Sequence, residues 1–149
     1  MTRGRRSAPA DELAIVLDEN IAAEELRVAL TAVARAQNAR VELIMDHFAR
    51  GTLDEIWLPV AAEQRWAVIT GDAHIKRRPA EKAILMSAGV SIFILRGALN
   101  GDQIRDALLA ALPAICRRHR QLAPPIICHV SRDGDVTVME GKRRGGLKR

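Results

Sequence analysis

Apolar residues in this chain come in short unbroken runs, separated by stretches with helical spacing. Leu13-Ala14-Ile15-Val16-Leu17 is the first run, and it ends in Asp18-Glu19-Asn20. A run this short suits a strand buried on both faces. Val41 to Met45, Trp66 to Ile69 and Val90 to Leu95 repeat the pattern. After the first run, Ala22, Leu26, Ala29, Leu30 and Val33 fall on one helical face, closed by Gln37-Asn38. Thr52 and Glu55 have capping-box spacing and predict a second helix start. Pro59 predicts a kink or a fresh start inside it, because proline removes a hydrogen bond and crowds the preceding turn. Pro79 suits the first turn of a third helix over Ala80 to Ser87, and Gly89 stops it in a C-cap role. Asn100-Gly101-Asp102 opens a longer helix with Ile104, Leu108, Leu109, Leu112 and Ile115, which Pro113 is expected to bend or split. Beyond Pro124-Pro125, Ile126 to Val130 and Val136 to Met139 flank Arg132-Asp133-Gly134, a hairpin signal.

Strand and helix alternate four times, which predicts an α/β fold of three layers. A central, mostly parallel sheet would carry helices on both faces, with a C-terminal β-hairpin at one edge. A chain of 149 residues fits one domain. The expected limits are an unstructured N-terminus at 1–12, a domain at 13–140 and a basic, disordered tail at 141–149.

Charge changes the picture less than the net +5 suggests. The segment GKRRGGLKR holds five basic groups and no acid; removing it from the 23 basic residues leaves 18, matching the 18 acids. The remainder is therefore balanced, and the tail offers only non-specific attraction to phosphate. No apolar run reaches the roughly 18 residues that span a membrane, and no apolar leader follows the basic start. The expectation is a soluble, cytoplasmic protein without a membrane partner. Two cysteines make no disulfide framework. With two Trp, two Phe and no Tyr, an aromatic platform for stacked bases is disfavoured.

The candidate chemistry is acidic. Asp18, Asp46 and Asp72 fall at or just past predicted strand exits, and Asp54 with Glu55 opens the helix before the third strand. Ligands of open α/β sheets bind beyond the carboxyl ends of the strands. Carboxylates gathered on that rim suit Mg²⁺ or Mn²⁺, which take hard oxygen ligands. Lys76, Arg77 and Arg78 follow Asp72 closely and could hold flanking backbone phosphates. Each aspartate taken alone is equally an Asx-turn or a helix cap. Together they would repel one another unless a cation were shared. His74 could touch a phosphate, although a solvated loop histidine is the simpler account. Cys116, His119, Cys128 and His129 fit no familiar zinc spacing, and Cys128 sits in an apolar strand.

The segments LDEN at 17–20, HFARGTLDEIWLP at 47–59, WAVITGD at 66–72, IKRRPAEKA at 75–83 and APPIICHVSRDGDV at 123–136 carry a resemblance. The chain resembles the PIN-like domain proteins of the VapC toxin ribonuclease type. That resemblance implies a central parallel sheet and a Mg²⁺- or Mn²⁺-dependent centre that cuts single-stranded RNA. It implies Asp18, Asp54 and Asp72 as the catalytic, metal-binding acids, with Asp46 and Glu55 as further ligands and Asn20 orienting one. It also implies a small antitoxin protein as partner; a homodimer stays open. One departure stands out. Where the family usually carries a basic residue before Asp72 this chain has Gly71, and Ala73 is small where a charge is usual. A catalytically weakened nucleic-acid-binding or regulatory module is therefore the alternative. A phosphoacceptor switch is a third reading, opposed by Leu95-Arg96 where a Thr or Ser would be needed.

Overall fold

A computed structural model describes residues 12–71 and 79–143. Its strands are β1 (Leu13–Leu17), β2 (Ala39–Leu43), β3 (Ala67–Thr70), β4 (Ser91–Leu95), β5 (Leu122–Val130) and β6 (Val136–Arg143). Its helices are α1 (Glu24–Ala36), α2 (Asp54–Glu63), α3 (Pro79–Ala88) and α4 (Gly101–Gln121). The strands form one sheet in the order β2-β1-β3-β4-β5-β6. The first five run parallel and β6 pairs antiparallel with β5, so the expected edge hairpin forms.

Alternate strand residues feed two separate cores, because successive side chains point to opposite faces. Leu13, Ile15, Leu17, Phe93 and Leu95 pack with Leu26 and Leu30 of α1 and Leu108, Leu112 and Ile115 of α4. Ala14, Val16, Val68, Ile92 and Ile94 pack with Trp57, Leu58 and Ala61 of α2 and Leu85 of α3. Every residue of β1 and β4 is buried, which is why those strands read as unbroken apolar runs. Burying a side chain such as Phe93 contributes about 1.5–3 kcal/mol.

The β3-α3-β4 and β4-α4-β5 connections advance in the same direction across the sheet but cross opposite faces. They therefore have opposite hands, against the strong preference for right-handed crossovers. The reason lies in coverage. Helix α1 shields only one end of its face, and no helix follows β5 among the described residues. Only α4 is left to cover the rest of that face, beside α1.

Several local expectations are corrected. The second strand starts at Ala39 and ends at Leu43, so Ile44–Asp46 is a single 3-10 turn and Asp46 lies beyond the strand. The capping box at the second helix does not form. Leu53 is the N-cap, without a side-chain bond, and the Thr52 hydroxyl donates to the Ala49 carbonyl at 2.6 Å. Asp54 and Glu55 occupy the first turn instead, where negative charge complements the helix dipole. Neither Pro59 nor Pro113 breaks its helix. Buried neighbours on both sides, Leu58 and Ala61 in one case and Leu112 and Ile115 in the other, hold the helix against the lost hydrogen bond. Gly89, at φ 75°, stops α3 as expected, in a conformation that strains other residues. β5 begins at Leu122 and passes Pro124-Pro125 where the ladder with β6 shifts register, so no N–H is required of either proline. β6 reaches Arg143, pairing Lys142 with Ala123 and Arg143 with Leu122, so the start of the basic segment is strand.

Candidate functional site

Strand order reverses between β1 and β3, and the crevice beyond their carboxyl ends is the usual ligand position in such sheets. The Asp18 N–H donates to the Ile69 carbonyl at 2.9 Å, so β1 stays joined to β3 up to the exit. Val16 and Val68 pack on the α2/α3 face, and Asp18 and Thr70, two residues on, point the same way. There the Thr70 hydroxyl donates to Asp18 Oδ2 at 2.9 Å, and the Glu19 N–H donates to Asp18 Oδ1 at 2.7 Å. No basic side chain pairs with Asp18 among the described residues. Burial pushes the Asp18 carboxyl above its ordinary value; the bonds from Glu19 and Thr70 pull it back, and the charges of Asp54 and Glu19 push it further up.

The β1–α1 turn ties this corner together. Glu19 Oε1 accepts from the Gly51 N–H at 3.0 Å, and Oε2 lies 3.6 Å from Arg50 Nη1. That fastens the turn to the loop leading into α2, whose first residue is Asp54. Asp54 is exposed, and its Oδ1 accepts from Trp57 Nε1 at 3.1 Å. Asn20 Oδ1 accepts from the Gly71 N–H at 3.2 Å, clamping the β3 exit to the β1 exit. Gly71 has a packing reason: a Cβ there would collide with Ile21 Cγ2. Ile21 is itself buried and β-branched, so it yields little.

The other expected site residues fall elsewhere. Asp46 Oδ2 accepts from Arg27 Nη1 at 2.7 Å and from the Leu43 N–H at 3.0 Å. Glu55 is exposed in the first turn of α2. Asp72, His74, Lys76, Arg77 and Arg78 lie outside the described residues. Cys116 and Cys128 are buried in the α1/α4 core, where burial pushes both thiols up to about 11. His119 Nδ1 lies 2.8 Å from Ser91 Oγ, and His129 Nδ1 lies 3.1 Å from Arg96. That leaves no shared zinc geometry among these four. Two contributors escaped the sequence reading. Thr70 is the one polar residue closing a buried strand, a signal in plain view. Glu19 carries no such mark, since its value comes from reaching Gly51, 32 positions away.

The donor set suits a hard divalent cation. The Asp18 carboxylate is half-buried, feels two further acids and, among the described residues, meets only neutral donors. Oxygen ligands without thiolate or imidazole favour Mg²⁺ or Mn²⁺ over softer metals. Among the described residues no three His, Cys, Asp or Glu side chains are close enough to complete a metal cage. No helix among them is long and apolar enough to cross a membrane.

The model of the PIN like domain family matches residues 13–97, more than half of the chain, and the chain belongs to that family. The match spans β1 to the residues just after β4, and so includes Asp18, Asp54 and Thr70. Among curated proteins, the chain is similar to the inferred ribonuclease VapC45 of Mycobacterium tuberculosis, 26% identical over 124 residues, covering 80% of this chain and 87% of that relative. No solved structure matches.

Proposed function

We infer that this protein is a metal-dependent ribonuclease that cuts single-stranded RNA, acting as the toxin of a toxin–antitoxin pair. The observation that carries the reading is the Asp18 carboxylate: half-buried at the β1/β3 switch, without a basic partner among the described residues, and within the field of Asp54 and Glu19. Family membership and the likeness to VapC45 support the same chemistry. Asp18, Asp54 and Asp72 are the proposed metal ligands, with Glu55 beside them. Pairing with Arg27 argues for a structural role at Asp46. A bound Mg²⁺ or Mn²⁺ would acidify a water and neutralise charge on the phosphodiester.

The chain's own residues prepare that site. Thr70 and the Glu19 N–H fix both oxygens of Asp18, so the carboxylate needs no reorganisation to bind. Asn20 holds the strand that leads into Asp72. His74, Lys76, Arg77 and Arg78 are the proposed contacts to backbone phosphates on either side of the cut. A small antitoxin protein would cover this rim, and action in the cytoplasm follows from an RNA substrate.

Single-stranded RNA incubated across a Mg²⁺ and Mn²⁺ titration tests the reading, with wild type beside Asp72→Asn. Metal-dependent cleavage lost in the variant is expected. A second reading, a weakened RNA-binding module, draws on Gly71, where Ile21 leaves no room for a side chain to grip phosphate. RNA bound but uncut at every metal concentration would favour that module.

A further inference from the structure

Arg96 follows β4 directly, and its N–H donates to the Val130 carbonyl at 2.9 Å. Ile92 and Ile94 pack on the α2/α3 face, so strand alternation turns Arg96 to that face as well. Ile127 packs in the same layer, and His129, two residues on, shares its direction. The two side chains meet, with Arg96 Nη1 3.1 Å from His129 Nδ1. Arginine has no acceptor, so Nη1 donates and Nδ1 accepts.

The guanidinium is half-buried, and its Nε is sealed from solvent without a hydrogen-bond partner. No carboxylate pairs with Arg96 among the described residues. A partly desolvated cation with an unmet donor is costly to maintain unless an anion reaches it. Asp18, Thr70 and Arg96 share one face and one rim of the sheet, with only β3 between β1 and β4. Strand spacing puts β4 roughly 10 Å from β1. That is far enough to avoid quenching the acidic corner, and near enough for one bound strand to touch both. Guanidinium is also the side chain best matched to phosphate oxygens.

We propose that Arg96, oriented by His129, binds a backbone phosphate of the RNA strand next to the one being cleaved. This rests on the nuclease reading for its ligand, and it assigns the rim a cationic subsite within the described fold. Arg96 is the contact; His129 is a positioning residue.

The test is fluorescence anisotropy of a short single-stranded RNA in EDTA, so that binding is read without cleavage, over a series of salt concentrations. Arg96→Gln should bind about tenfold more weakly, as loss of a charged hydrogen bond implies. Its plot of log affinity against log salt should lose about 0.7 in slope, the share of one phosphate contact on a single strand. Arg96→Lys should keep the slope and lose affinity, because the charge stays while the fork goes. His129→Asn should weaken binding without changing the slope. Melting curves check the fold of each; should Arg96→Gln not fold, Arg96→Lys decides, and wild-type affinity in it overturns the proposal. Unchanged affinity and slope in Arg96→Gln overturns it too. Weakened binding by Arg96→Gln in a protein that never cuts RNA would remove the nuclease reading and leave the subsite standing. A wild type that binds no RNA would remove both.

Discussion

Two acidic corners lie side by side on the same rim, one past β2 and one past β1, and they are built oppositely. Past β2 each carboxylate has a base. Arg27 holds both Asp46 and Glu24, and Glu42 meets Arg40 at 2.6 Å and His47 at 2.6 Å. Burial acts to raise the Glu42 carboxyl, but its bonds from Arg40 and His47 win and hold it below its ordinary value. Past β1 the Asp18 carboxylate meets a hydroxyl and an N–H, its charged neighbours among the described residues are acids, and its carboxyl is held high. A strand exit therefore says where a carboxylate stands, and its partner says what it is for. In the first corner each of these carboxylates has a partner side chain. In the second, Asp18 has no basic partner among the described residues.

The comparison is broken or sharpened most strongly at Asp18. Asp18→Asn should cut RNA cleavage by at least about a hundredfold, as expected of a lost metal ligand. It should also raise the melting temperature at neutral pH. Because the folded-state carboxyl sits above its unfolded value, the folded state binds the proton more tightly. The penalty is absent below the unfolded pKa and complete above the folded one, so stability falls as pH rises through that window. Melting curves of both proteins across pH should converge in acid; a variant less stable at neutral pH would contradict the raised Asp18 carboxyl.

Glu19→Gln should have the next effect. It weakens the tie to Gly51, and loss of a supporting residue of this kind costs about tenfold in activity. Faster hydrogen exchange at the Gly51 amide should accompany the loss. Full activity with an unchanged amide would remove Glu19 from the site.

Gly71→Ala forces a Cβ against Ile21 and should cost about 1–3 kcal/mol, the usual range for overpacking. Chemical denaturation of Gly71→Ala, Ile21→Val and the double variant closes a cycle. The pair should couple, with Ile21→Val relieving part of the cost; strict additivity would mean that Ile21 does not select the glycine.

Asp46→Asn should do least. The pair with Arg27 is partly solvated, so about 0.2–1 kcal/mol of stability is at stake. Cleavage should stay within about twofold of wild type. A loss as deep as that of Asp18→Asn would erase the distinction between the corners.

Much of the architecture was legible because apolar runs and helical spacing are local signals. The strands and helices fall close to their expected places, and the hairpin at Arg132-Asp133-Gly134 forms. Where the reading failed, long-range packing overrode a local rule. Thr52 and Glu55 have the spacing of a capping box, yet the Thr52 hydroxyl is taken by Ala49. Of the outcomes expected at Pro59 and Pro113, the fresh start and the split do not occur, because buried neighbours hold each helix continuous. β6 continues into the basic segment because β5 offers partners as far as Leu122.

By itself the sequence determined the alternation of elements, the buried character of the strands and the acids available at their ends. All of these depend on residues near one another in the chain. Tertiary structure alone decided which acid is quenched by Arg27, which is held by Thr70 from 52 positions away, and why a glycine stands beside Ile21. It also decided that α4 crosses the sheet on the side of α1. Such outcomes depend on distances between remote groups, and those distances exist only once the sheet has brought its strand ends together.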